Sequence, residues 1–216
     1  MDDFVVGKGE LNKDELNRDA LNKDELDKNE LDKDMLKRDS LNNDIGKNDI
    51  LKNNELILAM VRYYAGDPKR INHFLKVNAF GKIIASKEKV DSRMYNIIDV
   101  ATITHDIGIK VSEEKYGSSA GKYQELEGPA IAKDMLSKLE YDEGLIERTM
   151  YLIGHHHTYD NITGLDYQIL VEADFLVNIY EDGMSKEAIN SVRSKIFKTD
   201  TGKKLLDSMF DIKEEK

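Results

Sequence analysis

The sequence predicts an all-α domain of roughly 150 residues behind a low-complexity N-terminal extension. Three observations carry this. Apolar residues from position 56 onward fall in helix-length runs, proline, glycine and aspartate sit where helices would start or stop, and strand signals are nearly absent. The expected division is residues 1–55 as extension and 56–216 as domain.

The extension repeats with period five. Leucine recurs at Leu11, Leu16, Leu21, Leu26, Leu31, Leu36, Leu41, Leu51 and Leu56, with Gly46 breaking the series, and from Leu16 onward Asp or Asn stands two positions ahead of each, as at Asp14 and Asp19. On a helix, five residues advance ~500°, so successive leucines step ~140° around the axis and form no stripe. On a strand, an odd period sends them to alternate faces. A pentapeptide-repeat β-helix would bury the Asp or Asn in every coil. The segment therefore reads as a charge-rich tail, disordered or a frayed helix.

The domain's elements follow in order. Leu56–Tyr64 is an apolar helical run ended by Gly66-Asp67-Pro68. Asp67 suits an N-cap and Pro68 a first turn, opening a helix through Arg70, His73 and Val77 to about Ser86. Another helix is expected from about Asp91 to His105-Asp106, stopped near Gly108. Ser112–Lys122 reads as a polar connecting loop or a lid. Pro129 suits the start of a helix to Leu139. Helices are then expected over Asp142 to about His156, Asp166–Tyr180, Ser185–Phe197 and Thr201–Phe210.

Composition narrows the function. The formal net charge of −10 argues against the nucleic-acid backbone as a partner. The absence of cysteine excludes disulfides, zinc–thiolate sites and cysteine nucleophiles. No run approaches the ~20 apolar residues of a membrane span. The acidic N-terminus has too short an apolar part for a secretory signal, so a cytoplasmic location is expected. Oligomeric state has no signature in the sequence.

All five histidines fall in one pattern: His73, then the doublet His105-Asp106 within Ile-Thr-His-Asp-Ile-Gly, then His155-His156-His157. Asp174 follows inside the apolar run Ile169–Ile179. A carboxylate among Leu170, Val171, Ala173, Phe175 and Leu176 needs a strong partner, although Glu172 suggests that this helix has some polar surface. Adjacent residues on a helix point ~100° apart, so His105 and Asp106 reach one ion only at a helix end. Imidazole and carboxylate together suit Mn²⁺, Fe²⁺, Co²⁺, Ni²⁺ or Zn²⁺, and carboxylate with water accepts Mg²⁺.

The ordered set resembles the HD-domain metal-dependent phosphohydrolases. It covers about Arg70 to Asp182: Arg-Ile-Asn-His-Phe-Leu-Lys-Val at 70–77, the His-Asp doublet followed by Ile-Gly, and Val-Glu-Ala-Asp-Phe-Leu at 171–176. The resemblance implies an HD-domain helical bundle in which His73, His105, Asp106 and Asp174 hold a divalent metal. It also implies hydrolysis of a phosphomonoester or phosphoanhydride, with a small nucleotide as substrate. Three consecutive histidines cannot face one point. His156, then His155, is expected at a second metal or phosphate site, with His157 solvated. Asp106 is expected to orient or deprotonate water, Glu127 (with Glu125) to act in acid–base catalysis, and Arg70 and Lys110 to bind phosphate. Many two-metal relatives carry a further histidine where this chain has Tyr-Gln-Glu-Leu-Glu-Gly-Pro at 123–129; Gln124 or Glu127 takes its place. That departure keeps open a non-catalytic module that senses nucleotide or metal.

Overall fold

The computed structural model describes residues 48–212. They form nine helices and no strand: α1 over residues 48–63, α2 Pro68–Lys87, α3 Ser92–Thr104, α4 Ile109–Tyr116, α5 Gly121–Lys138, α6 Glu143–Ile153, α7 Leu165–Glu181, α8 Lys186–Lys195 and α9 Asp200–Phe210. No helix among the described residues is long and apolar enough to cross a membrane. The expected tail over residues 1–47 lies outside the described residues.

Helix starts follow local chemistry. Asp67, Asp91, Asp142, Ser185 and Thr199 each accept a hydrogen bond from a backbone N–H three residues on, and Pro68 occupies the first turn of α2. The centre is built from α3 and α7. Every residue from Ile97 to Thr104 is buried, as is nearly all of Asp166–Ile179, because other helices pack around both. One apolar cluster joins Leu56 and Met60 of α1 and Tyr64 just past its end to Phe74, Ile103, Leu136, Leu152 and Leu170. A second gathers Ile84, Ile98, Leu176, Phe197 and Leu206.

Four features differ from expectation. Residues 48–55, the end of the period-five stretch, are helical, and Asn53 is buried: its amide donates to Asp99 and Asn96 and its oxygen accepts from Tyr141. Leu51 is 66 % exposed while Leu56 is fully buried, so the period does scatter successive leucines around a helix. The supposed loop after the doublet contains α4. Its Glu and Lys residues form helices readily, and its polarity reflects that only Ser112 is buried. Helix α5 starts at Gly121 and passes through Pro129, since Gln124, Gly128, Ala132 and Leu136 form a buried stripe on both sides of the proline. Finally, Glu172 is no surface residue. It is fully buried and accepts hydrogen bonds from Gln168, Lys198 N–H and both the N–H and hydroxyl of Thr199, tying α7 to the start of α9.

Candidate metal centre

Three helices deliver the cluster. His73 lies in the first half of α2, His105 is the C-cap of α3, and Asp174 sits mid-way along α7. The turn holding Asp106 is fastened from the end of α1 and the residue after it: the Tyr64 hydroxyl donates to the Asp106 carbonyl at 2.6 Å, and that of Tyr63 to the Ile107 carbonyl at 3.2 Å. Gly108 then runs against α5 so closely that a Cβ there would lie 2.6 Å from the Gln124 carbonyl oxygen. The doublet is thus held between α1 and α5.

The side chains converge. His73 Nε2 lies 3.3 Å from His105 Nε2, 3.3 Å from Asp106 Oδ2 and 3.2 Å from Asp174 Oδ1. His105 Nε2 is 3.3 Å from Asp106 Oδ2 and 3.5 Å from Asp174 Oδ1. His156 Nε2 stands 3.5 Å from Asp106 Oδ1.

The tautomers follow from the partners. Nδ1 of His73 lies 3.1 Å from Glu181 Oε2, that of His105 3.0 Å from the Thr102 carbonyl, and that of His156 2.7 Å from the Ile153 carbonyl. Carboxylates and carbonyls only accept, so each Nδ1 carries the hydrogen and each Nε2 presents a lone pair to the cluster. Two bare imidazole nitrogens lie 3.3 Å apart, and each stands within 3.5 Å of an oxygen of both Asp106 and Asp174, an arrangement of lone pairs that repels unless a cation or protons sit among them. This donor set fits a divalent metal. Glu181, which also holds Lys76 Nζ at 2.5 Å, orients His73 and was not singled out from sequence.

The same geometry governs titration. Burial disfavours protonated His73 and His105, but the carboxylates of Asp106 and Asp174 outweigh it and raise both pKa values. Burial likewise opposes ionised Asp106 and Asp174, yet the histidines hold both below the usual carboxylate range. Since the folded-state values of the two histidines exceed 6.5, their contribution to stability is complete below that pH and is lost as pH rises through the raised values. The lowered carboxylates lose theirs only in acid. Metal-stripped protein should therefore melt at progressively lower temperature above pH 6.5. Divalent ions, favoured by histidine deprotonation, should reverse the trend; melting curves with and without chelator across pH 5–9 would show it, and identical pH slopes would refute it.

The cluster opens on a cleft of about 520 Å³, lined by His73, Asp106, Gln124, His157, Asp174 and Glu181 among others. The histidine run resolves differently from expectation. His155 turns away, its Nδ1 bonded to the Tyr151 carbonyl and its ring stacked on Tyr151, because α6 ends at Ile153 and the next turn rotates it outward. His157, expected in solvent, instead lines the cleft and joins Asp106 and His156 in a second group of metal-binding type. Glu125 accepts from the His157 N–H and Thr158 hydroxyl, and Gly121 leaves room for the ring: a Cβ there would lie 2.7 Å from it. Burial, with neighbouring His156, lowers the His157 pKa to about 4, which keeps its ring neutral. Gln124 Oε1, His156 Nε2 and His157 Nε2 are buried without a hydrogen-bond partner.

Two other candidates are placed outside the cleft and a third is occupied. Glu127 accepts from Lys115 and Tyr116, which lower its pKa, and does not line the cleft. Lys110 lies over the Tyr63 ring and reaches the Tyr63 carbonyl, also outside the cleft. Arg70 does line it, but its guanidinium is engaged by Asp67 at 3.0 Å and Glu113 at 2.6 Å. The lining cation without an ion pair among the described residues is Lys69, which sequence gave no reason to prefer.

Among solved structures, the chain is similar to the crystal structure of a predicted HD superfamily hydrolase from an uncultured Thermotogales bacterium, with a TM-score of 0.54 and 24 % identity. The match covers 73 % of this chain and 84 % of that one. The chain has the HD-domain fold. No family model matches it, and no curated protein does. In this HD-domain fold the His-Asp doublet closes α3, His73 arrives from α2 and Asp174 from α7, as the order of motifs in the sequence implies.

Proposed function

We propose that the protein is a metal-dependent phosphohydrolase that cleaves a phosphomonoester or phosphoanhydride of a small nucleotide in the cytoplasm. The observation that carries this reading is the convergence of His73, His105, Asp106 and Asp174, with Nε2 lone pairs and carboxylate oxygens facing one another at the floor of a cleft. These four hold the ion, which when bound supplies Lewis acidity toward the phosphoryl group and lowers the pKa of water. Asp106, its second oxygen turned toward His156, accepts the proton of the attacking water. His156 and His157 face a second ion or the phosphate, and Lys69 attracts the substrate anion at the cleft wall. Glu181 and Glu125 orient His73 and His157.

The test is phosphate release from a panel of nucleotides and phosphoesters with Mn²⁺, Co²⁺, Mg²⁺ or Ni²⁺ added. Absence of turnover with every ion would overturn the reading in favour of a nucleotide- or metal-sensing module. One observation favours that second reading: Gln124, which with Glu127 is a counterpart of the histidine of two-metal relatives, lines the cleft and has a buried amide oxygen with no hydrogen-bond partner. Replacing it by imidazole supplies a stronger ligand for these ions. Gln124→His should therefore raise the affinity for a second ion about 10-fold or more, read as a second step in a calorimetric titration with Mn²⁺; unchanged stoichiometry and affinity would count against a ligand position at 124.

A further inference from the structure

The charge around the cleft restricts what the proposed phosphohydrolase can admit. Five carboxylates line it, Asp67, Asp106, Asp174, Glu181 and Asp182, against two cations, Lys69 and Arg70. Arg70 is already neutralised by Asp67 and Glu113, and nearby Lys76 by Glu181 at 2.5 Å. That leaves Lys69 and the metal centre itself to meet an anion. One divalent ion does not reverse this balance, and Asp182 stands exposed at the end of α7 with no ion pair among the described residues. A phosphomonoester brings up to about two negative charges to such a site, and a triphosphate roughly twice as many. The extra phosphates would lie against carboxylates with Lys69 alone to offset them. Beyond the metal ligands the cleft instead offers neutral contacts: Tyr159 and Phe175, whose rings lie 5.1 Å apart, and the amide of Asn178, one turn after Asp174 on the same face of α7.

We infer that the substrate is a phosphomonoester with a single phosphate on an uncharged organic group, and that polyphosphates are excluded by charge. This rests on the phosphohydrolase reading. In the reaction, water oxygen bonds to phosphorus as the phosphorus–oxygen bond to the organic group breaks. The departing oxygen takes up the proton that water gives to Asp106, leaving inorganic phosphate and an alcohol.

The experiment compares kcat/KM for the mono-, di- and triphosphates of one nucleoside with metal in excess over total phosphate. The monophosphate should exceed the triphosphate by roughly tenfold or more. Raising ionic strength should narrow the ratio, which a steric gate would not show. Asp182→Lys, an exposed change at a helix end, should narrow it as well by removing one repelling charge and adding an attracting one. Equal or faster turnover of the triphosphate, or a ratio unmoved by both salt and Asp182→Lys, would overturn the charge gate while leaving the hydrolase standing. No phosphate from any of the three, nor from other phosphoesters, would overturn both.

Discussion

Asp106→Ala is expected to abolish both metal binding and turnover. The carboxylate touches every other member of the cluster except Asp174: His73 and His105 lie 3.3 Å from one oxygen, and His156 lies 3.5 Å from the other. Its loss would take one carboxylate from both candidate ion-binding groups and, on the proposed reading, the acceptor of the water proton. The expected fall in kcat/KM is at least about a thousandfold, corresponding to roughly 4 kcal/mol of transition-state stabilisation. The fold should survive, because the α1 anchor reaches Asp106 through its carbonyl and not its side chain. Metal analysis and circular dichroism on the same preparation separate the two effects. Wild-type metal content in a folded variant would sink the assignment.

Gly108→Ala should damage the fold itself. The added methyl would stand 2.6 Å from the Gln124 carbonyl oxygen, 2.9 Å from the Gly128 nitrogen and 3.0 Å from the Gln124 Cα, all backbone atoms of α5. No rotamer change can relieve contacts of that kind, so α5 must move away from the doublet. Overpacking of this sort costs about 3 kcal/mol. For a domain of this size that lowers the melting temperature by about 10 °C. The movement would also withdraw Gln124 and the α5 surface behind His157, so metal affinity should fall with stability. A melting temperature within a degree of wild type would contradict the packing described.

The parts of the site that could be read in the sequence are those in which residue identity declares chemistry. His73, His105, Asp106 and Asp174 stood out because ionisable side chains interrupted apolar helices, and the structure brings all four together. The cap at Asp67 was legible for the same local reason, and the helices expected from about Asp91 and Asp142 do begin there, each capped by that aspartate. What sequence could not supply was direction. Which of three consecutive histidines faces inward depends on where α6 ends, a matter of one residue. Whether Arg70 is free depends on Glu113, 43 positions away. Glu172 and Glu181 look like ordinary surface acids until the chain folds: the one is buried beneath Thr199, the other set beside His73. Pro129 misled because a helix start is proline's usual place, whereas tertiary packing carries α5 through it.

The three Nδ1 hydrogen bonds set the histidines apart in evolutionary and engineering terms. His105 and His156 are each fixed by a carbonyl three residues earlier in the same chain, so their aim is written into the backbone of a helix end and no substitution elsewhere can erase the acceptor. His73 takes its aim from Glu181, a side chain 108 positions downstream that is also shared with Lys76. Of the three histidines, two are therefore aimed by the backbone and one by an exchangeable side chain. Sequence drift or design at position 181 would, on the proposed reading, tune how firmly an ion is held while leaving the His-Asp doublet untouched.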